Sequence, residues 1–251
     1  MPLPTAPTSW TVLNHGPLET LDDGLWRVAG SLPNMGLPRC GVFARHIDPT
    51  TGDPGLVVHS AVSVEDSVLQ KLVDAAPPRW LIVPNAMHRL DAPAWKARFP
   101  ELQVICPPAA RTAVSEKVSV DATFDELADR FTPGSGVELR PLAGIDGKEW
   151  AMIIHHGDDT ASLAVTDAIF NLPHQPGFGG LMMRLMGSSG GPKVTFVART
   201  MMVSDKKALA DDLRSLAAMG PRLRRIIPGH GEVIDTDAAD TLRKVADALH
   251  S

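Results

Sequence analysis

The sequence predicts an α/β fold, a four-layer αββα sandwich with helices outside two central sheets, built as a single domain over residues 1–251. Two observations carry this. Strand-like apolar runs followed by an amphipathic helix occur in both halves of the chain, so the halves repeat one meander-plus-helix plan. No linker separates them: the 22 Pro and 21 Gly are spread between apolar segments and mark defined turns.

The elements follow in order. Residues 1–10 are Pro-rich and extended, and residues 25–30 and 40–47 alternate as strands. Asp48 to Gly55 is a turn signal, after which Leu56, Val57, Val58 and His59 resume a strand. A helix comes next, with Ser63 as N-cap, Glu65 and Asp66 in the first turn, and Val64, Val68, Leu69, Leu72 and Val73 on its apolar face. Pro77-Pro78 stops it. Residues 80–83 are a continuous apolar run, the mark of a strand buried on both faces; 94–98 form a short helix and 102–106 another buried strand.

In the second half, residues 137–142, 149–154 and 161–165 read as strands, and Gly157-Asp158-Asp159 turns the last pair. His155 and His156 precede that turn and are expected to face solvent rather than a metal. Residues 171–193 read as a loop rich in Gly, Pro and Met. A helix capped by Ser204 buries Leu209, Leu213 and Leu216 and stops at Gly220-Pro221; a strand over 223–227 and a helix over about 237–249 close the chain.

The formal net charge of −5 argues against nucleic acid or an anionic membrane as the main partner. Cys40 and Cys106 fit no paired motif and are expected as reduced, buried thiols. The first residues lack a basic stretch followed by an apolar run, so no signal peptide is expected. No apolar run approaches the roughly 20 residues of a membrane helix. The expected location is the cytoplasm.

Two motifs carry chemistry. In Ile226-Ile227-Pro228-Gly229-His230-Gly231, a strand ends in a sharp turn that presents His230 in a fixed direction. That suits a metal ligand or an acid/base group, and equally an exposed loop histidine. In Leu163-Ala164-Val165-Thr166-Asp167, an apolar strand ends on a carboxylate that a cation or a solvated turn must receive.

Together with Val58-His59-Ser60 and Val83-Pro84-Asn85-Ala86-Met87-His88-Arg89-Leu90-Asp91, these motifs resemble the metallo-β-lactamase family. The resemblance spans nearly the whole chain. It implies an active site at the edge of the two sheets and a metal-dependent hydrolase. It is closer still to a degenerate subgroup, a domain of unknown function, in which His-Ser, Pro-Asn-x-x-His and Thr-Asp recur together. The departures matter. Asn85, Met87, Arg89 and Leu90 fall where the family carries its His-x-His-x-Asp-His ligands. Leu142 to Gly147 replaces the turn that carries the third ligand histidine. Asp167 and His230 remain.

The resemblance implies that His59, Asn85, His88, Asp167 and His230 converge. Two chemistries then fit. Asp167, His230, His88 and His59 form a rearranged site for one zinc, iron or manganese ion, with water activated for hydrolysis. Alternatively no metal binds, and Asp167 orients a histidine and neutralises Arg89. The plain structural alternative is that each histidine satisfies backbone groups at a loop end.

The first function expected is hydrolysis of a small ester, thioester or lactone, with His88, Asp167 and His230 catalytic and Asn85, Arg89 and Ser60 contacting substrate. The second is a catalytically silent member that binds a small ligand or a protein partner. Ser60 lacks a Gly-x-Ser-x-Gly setting, so a nucleophile elbow is not expected, although His88 is the base that would assist it. The Gly-rich stretches 177–180 and 187–191 lack the P-loop ending. The Met-rich segment 178–186 suits a core helix, a lid or apolar substrate wall, or a homodimer contact.

Overall fold

The computed structural model describes residues 2–249. The chain forms two compact units, Met1–Leu139 and Arg140–Ser251.

The first unit holds a seven-stranded sheet in sequence order, with β1 (Glu19–Asp22), β2 (Leu25–Leu32), β3 (Met35–Ile47), β4 (Pro54–His59), β5 (Pro78–Ile82), β6 (Gln103–Cys106) and β7 (Ala122–Thr123). The first four strands are an antiparallel meander, and from β4 onward the pairing is parallel. Parallel neighbours need crossovers. These contain α1 (Asp66–Ala75), α2 (Ala92–Arg98) and α3 (Arg111–Ser115). Alternation along β4 sends Leu56 and Val58 into the core with Leu69 and Leu72 of α1 and Trp95 of α2. Val57 and His59 take the other face, His59 directly opposite Val42 and Ile82.

One expected cap is corrected. Helix α1 begins at Asp66, with Glu65 at the N-cap position and no side-chain cap. Ser63 serves a different contact: its amide donates to Asp91 Oδ2 at 2.7 Å, and the same oxygen receives the buried Arg39 guanidinium at 2.7 Å. Asp91 draws the Ser63 amide to the start of α2 and holds it short of α1.

The second unit, with its boundary inside β8 (Val137–Pro141), adds β9 (Trp150–His155), β10 (Ala161–Val165), β11 (Phe170–Leu172), α4 (Gly177–Leu185), β12 (Gly191–Lys193), α5 (Phe196–Met201), α6 (Lys206–Ala217), β13 (Leu223–Pro228) and α7 (Ala238–Asp247). Its main sheet runs β13-β10-β9-β8, with β10 and β13 parallel. Every residue of β10 is buried, as a continuous apolar run demands. Leu163, Val165 and Ile226 pack with Leu213 of α6 and Leu242 of α7.

Three further expectations change here. Asp205, not Ser204, caps α6 by accepting from the Ala208 amide, while the Ser204 hydroxyl turns to Gly144 O and Asp146. The stretch 171–193 is not all loop: β11 and β12 pair across α4. Its Leu181, Met182, Leu185 and Met186 are exposed rather than packed on the core. His155 and His156 are half-buried, and His156 Nε2 lies 2.8 Å from Ser162 Oγ, because the β9–β10 turn folds the ring back over the strand.

Candidate active site

In the second unit the candidate residues sit where β10 and β13 end side by side. Beyond the end of β10, the amides of Thr166, Asp167 and Ala168 turn to a side chain. All three donate to the Glu149 carboxylate, at 2.6, 2.9 and 3.2 Å. Glu149 is fully buried, at 0% exposure. A carboxylate accepting several amides is charge-matched to them and fixes their direction. Asp167, 5% exposed, is thereby held with Oδ1 3.3 Å from Nε2 of His230, itself 4% exposed.

The Pro-Gly-His-Gly turn explains its own composition. A Cβ on Gly229 would lie 2.8 Å from Thr166 Cα, and one on Gly231 would lie 2.0 Å from Asn171 O. Gly231 also has φ +106°, a conformation L side chains rarely adopt. The two glycines let the turn close against the strand that delivers Asp167. Asn171 brackets it: its amide donates to His230 O at 3.0 Å, and its carbonyl accepts from Glu232 N at 2.9 Å. The Phe170 ring stacks at a tilt on His230, 4.4 Å between centroids.

Within the first unit, a separate group of candidate residues follows β4 and β5. Ser60 follows β4 directly, with φ +53°. A serine in this region stores strain, of order 1–3 kcal/mol. Its Oγ lies 2.7 Å from His88 Nδ1. The loop carrying His88 is held by Asn85, whose Oδ1 accepts from the amides of Met87 and His88 at 2.8 and 3.1 Å. Asn85 thus works as a turn residue. Arg89 pairs with Glu116 at 2.9 Å, so its charge is answered within this unit.

His59 is 1% exposed, and neither ring nitrogen has a hydrogen-bond partner among the described residues. Burial pushes its pKa down to about 3, with a smaller contribution from the charge of His88, so it is a neutral imidazole.

The family's two-ion complement does not fit these residues. Asn85 is engaged as a loop acceptor and Arg89 as an ion-pair donor, while Met87 and Leu90 are exposed. Leu142 and Ile145 are core residues where the third ligand turn would be. Asp167 and His230, with Oδ1 and Nε2 3.3 Å apart, are a carboxylate and an imidazole of the kind that would hold a single ion.

Sequence reasoning missed Glu149, reading it as the first residue of β9. The available signal was a carboxylate opening the apolar run Trp150 to Ile154, a place where only backbone donors could answer its charge.

Solved structures give the fold its relatives. The chain is similar to the DIM-1 metallo-β-lactamase (TM-score 0.59, 11% identity, covering 95% of this chain and 99% of that one). It is similar to VMB-1 (TM-score 0.60, 11% identity, 93% and 97% covered) and to a metallo-β-lactamase from Hirschia baltica (TM-score 0.57, 14% identity, 92% and 98% covered). No family model matches the sequence, and neither does any curated protein. The fold is metallo-β-lactamase-like. No helix among the described residues is long and apolar enough to cross a membrane.

Proposed function

We propose that the protein is a hydrolase of a small ester, thioester or lactone, with a reduced metal site centred on Asp167 and His230. The observation that carries this is the buried Asp167–His230 pair, 3.3 Å apart and aimed by Glu149 and by two glycines that admit no side chain. A fold can be inherited without a function, but a buried carboxylate and imidazole held this firmly cost stability unless something uses them. Asp167 and His230 would hold one zinc, iron or manganese ion. When bound, such an ion polarises a carbonyl or lowers the pKa of a bound water.

The chain's own residues do the rest. Glu149 keeps the Asp167 backbone still, Phe170 holds the His230 ring, and Asn85 fixes the loop of His88. The exposed apolar side chains of α4, on the segment that leaves Asp167, offer a wall for the acyl part of the substrate.

The test is turnover of a panel of p-nitrophenyl esters, acyl thioesters and lactones by wild type, Asp167→Asn and His230→Asn. The expected result is hydrolysis of at least one class, lost by about 100-fold or more in both variants while the melting temperature is kept. No turnover of any class by folded, metal-supplemented wild type would favour the silent ligand-binding reading instead.

A further inference from the structure

We propose that Ser60 is a nucleophile and His88 its general base, so that acyl bonds are cleaved through a serine ester; this rests on the reading of the protein as an acyl hydrolase. The first support is distance: 2.7 Å between Oγ and Nδ1 is full hydrogen-bond contact. The second is proton accounting. Ser60 is 4% exposed, and His88 is the only hydrogen-bond partner of its hydroxyl among the described residues. Leaving a buried hydroxyl proton unsatisfied is costly, so the O–H donates and Nδ1 accepts. His88 Nδ1 is then unprotonated and aimed at the serine proton, the state a general base requires.

The third support is backbone geometry. At φ +53° Ser60 leaves the in-and-out alternation of β4, which turns its Oγ to the loop that carries His88. The Ser60 amide donates to Ile82 O at 3.0 Å, and the His88 amide donates to Asn85 Oδ1 at 3.1 Å, so both partners are anchored by their main chains. In sequence no Gly-x-Ser-x-Gly surrounds Ser60, so His88 could be named only as the base that would assist it.

The steps balance. Ser60 Oγ forms a bond to the substrate carbonyl carbon as its proton passes to His88 Nδ1. The bond from that carbon to the leaving oxygen or sulfur breaks, and the leaving group takes the proton from His88. Water then attacks the acyl-serine, gives a proton to His88, and Ser60 recovers it as the acid departs. With Nδ1 accepting, the ring's own proton lies on Nε2.

A fluorophosphonate tests this, because it phosphonylates an activated serine with loss of fluoride. Full-length protein is labelled with and without dipicolinate, and the adduct is located by peptide mass spectrometry. The expected result is one adduct on Ser60, unaffected by chelator, absent in Ser60→Ala and Ser60→Gly, and slowed about 100-fold or more in His88→Gln. Ser60→Gly guards against misfolding, since glycine accepts the positive φ without strain. No adduct on Ser60 in folded wild type, or equal labelling of His88→Gln, overturns the proposal. Chelator-sensitive ester turnover with no Ser60 adduct also overturns it while leaving the hydrolase reading standing. A His88-dependent adduct with no turnover of any acyl substrate upholds the pair and counts against that reading.

Discussion

The Glu149 carboxylate accepts three backbone amides. Removing its carboxylate leaves those donors buried without an acceptor, each costing on the order of 1 kcal/mol or more. Glu149→Ala is expected to lose about 3 kcal/mol in urea unfolding with an unchanged m-value. A loss under about 1 kcal/mol would mean the amides find other partners. Such residues explain the uneven legibility of the site. Asp167 and His230 could be read because each closes an apolar strand on a polar side chain, a local pattern. The work of Glu149 depends on the register of β9 against β10, and that of Ser60 on a positive φ. Neither leaves a local mark in sequence.

Turns at the ends of elements set the geometry. The motif around His230 works because Gly229 and Gly231 allow backbone to touch backbone. Gly231→Ala would place its Cβ 2.0 Å from Asn171 O at φ +106°, so it is expected to destabilise by more than about 2 kcal/mol and to abolish turnover. Gly157→Ala is the control: a Cβ there meets nothing within 4 Å, and no change beyond about 0.5 kcal/mol is expected. Equal melting temperatures for the two variants would contradict the role given to the close approach. Buried strands such as β10 were legible to the residue from their apolar runs. The starts of α1 and α6 were not: Asp205 takes the cap that Ser204 offered α6, and α1 starts behind Glu65 with no side-chain cap while Asp91 holds the Ser63 amide. The helix α4 was one of several readings the Met-rich segment left open, because its glycines lower helix propensity without forbidding the element.

Across the molecule, buried titrating groups set the response to pH. Burial holds the pKa of His46 below its usual value, and that of His59 at about 3 against 6.5 unfolded. His59 is neutral in the folded state. Below 6.5 the unfolded chain binds a proton that folded His59 refuses, so its contribution is intact above pH 6.5 and lost as pH falls toward 3, and His46 acts in the same direction. The slope is up to roughly 1.4 kcal/mol per pH unit for each group. His59→Leu is expected to flatten this acid limb in melts recorded from pH 7 to 4; an unchanged limb would place the proton uptake elsewhere. Burial also raises the Cys40 and Cys106 thiols to about 11. Iodoacetamide at pH 8 is therefore expected to modify neither until urea unfolds the chain, and rapid labelling of native protein would contradict their burial.

The proposed role of Asp167 and His230 is that of an ion-holding pair in a metallo-β-lactamase-like fold. Its most direct measurement is elemental analysis of tag-free protein purified without chelator from medium supplemented with zinc, iron and manganese, beside Asp167→Ala and His230→Ala. The account expects close to one ion per chain in wild type, lost in both variants with their folds intact. No metal in wild type under any supplement, or equal stoichiometry in all three proteins, would contradict it.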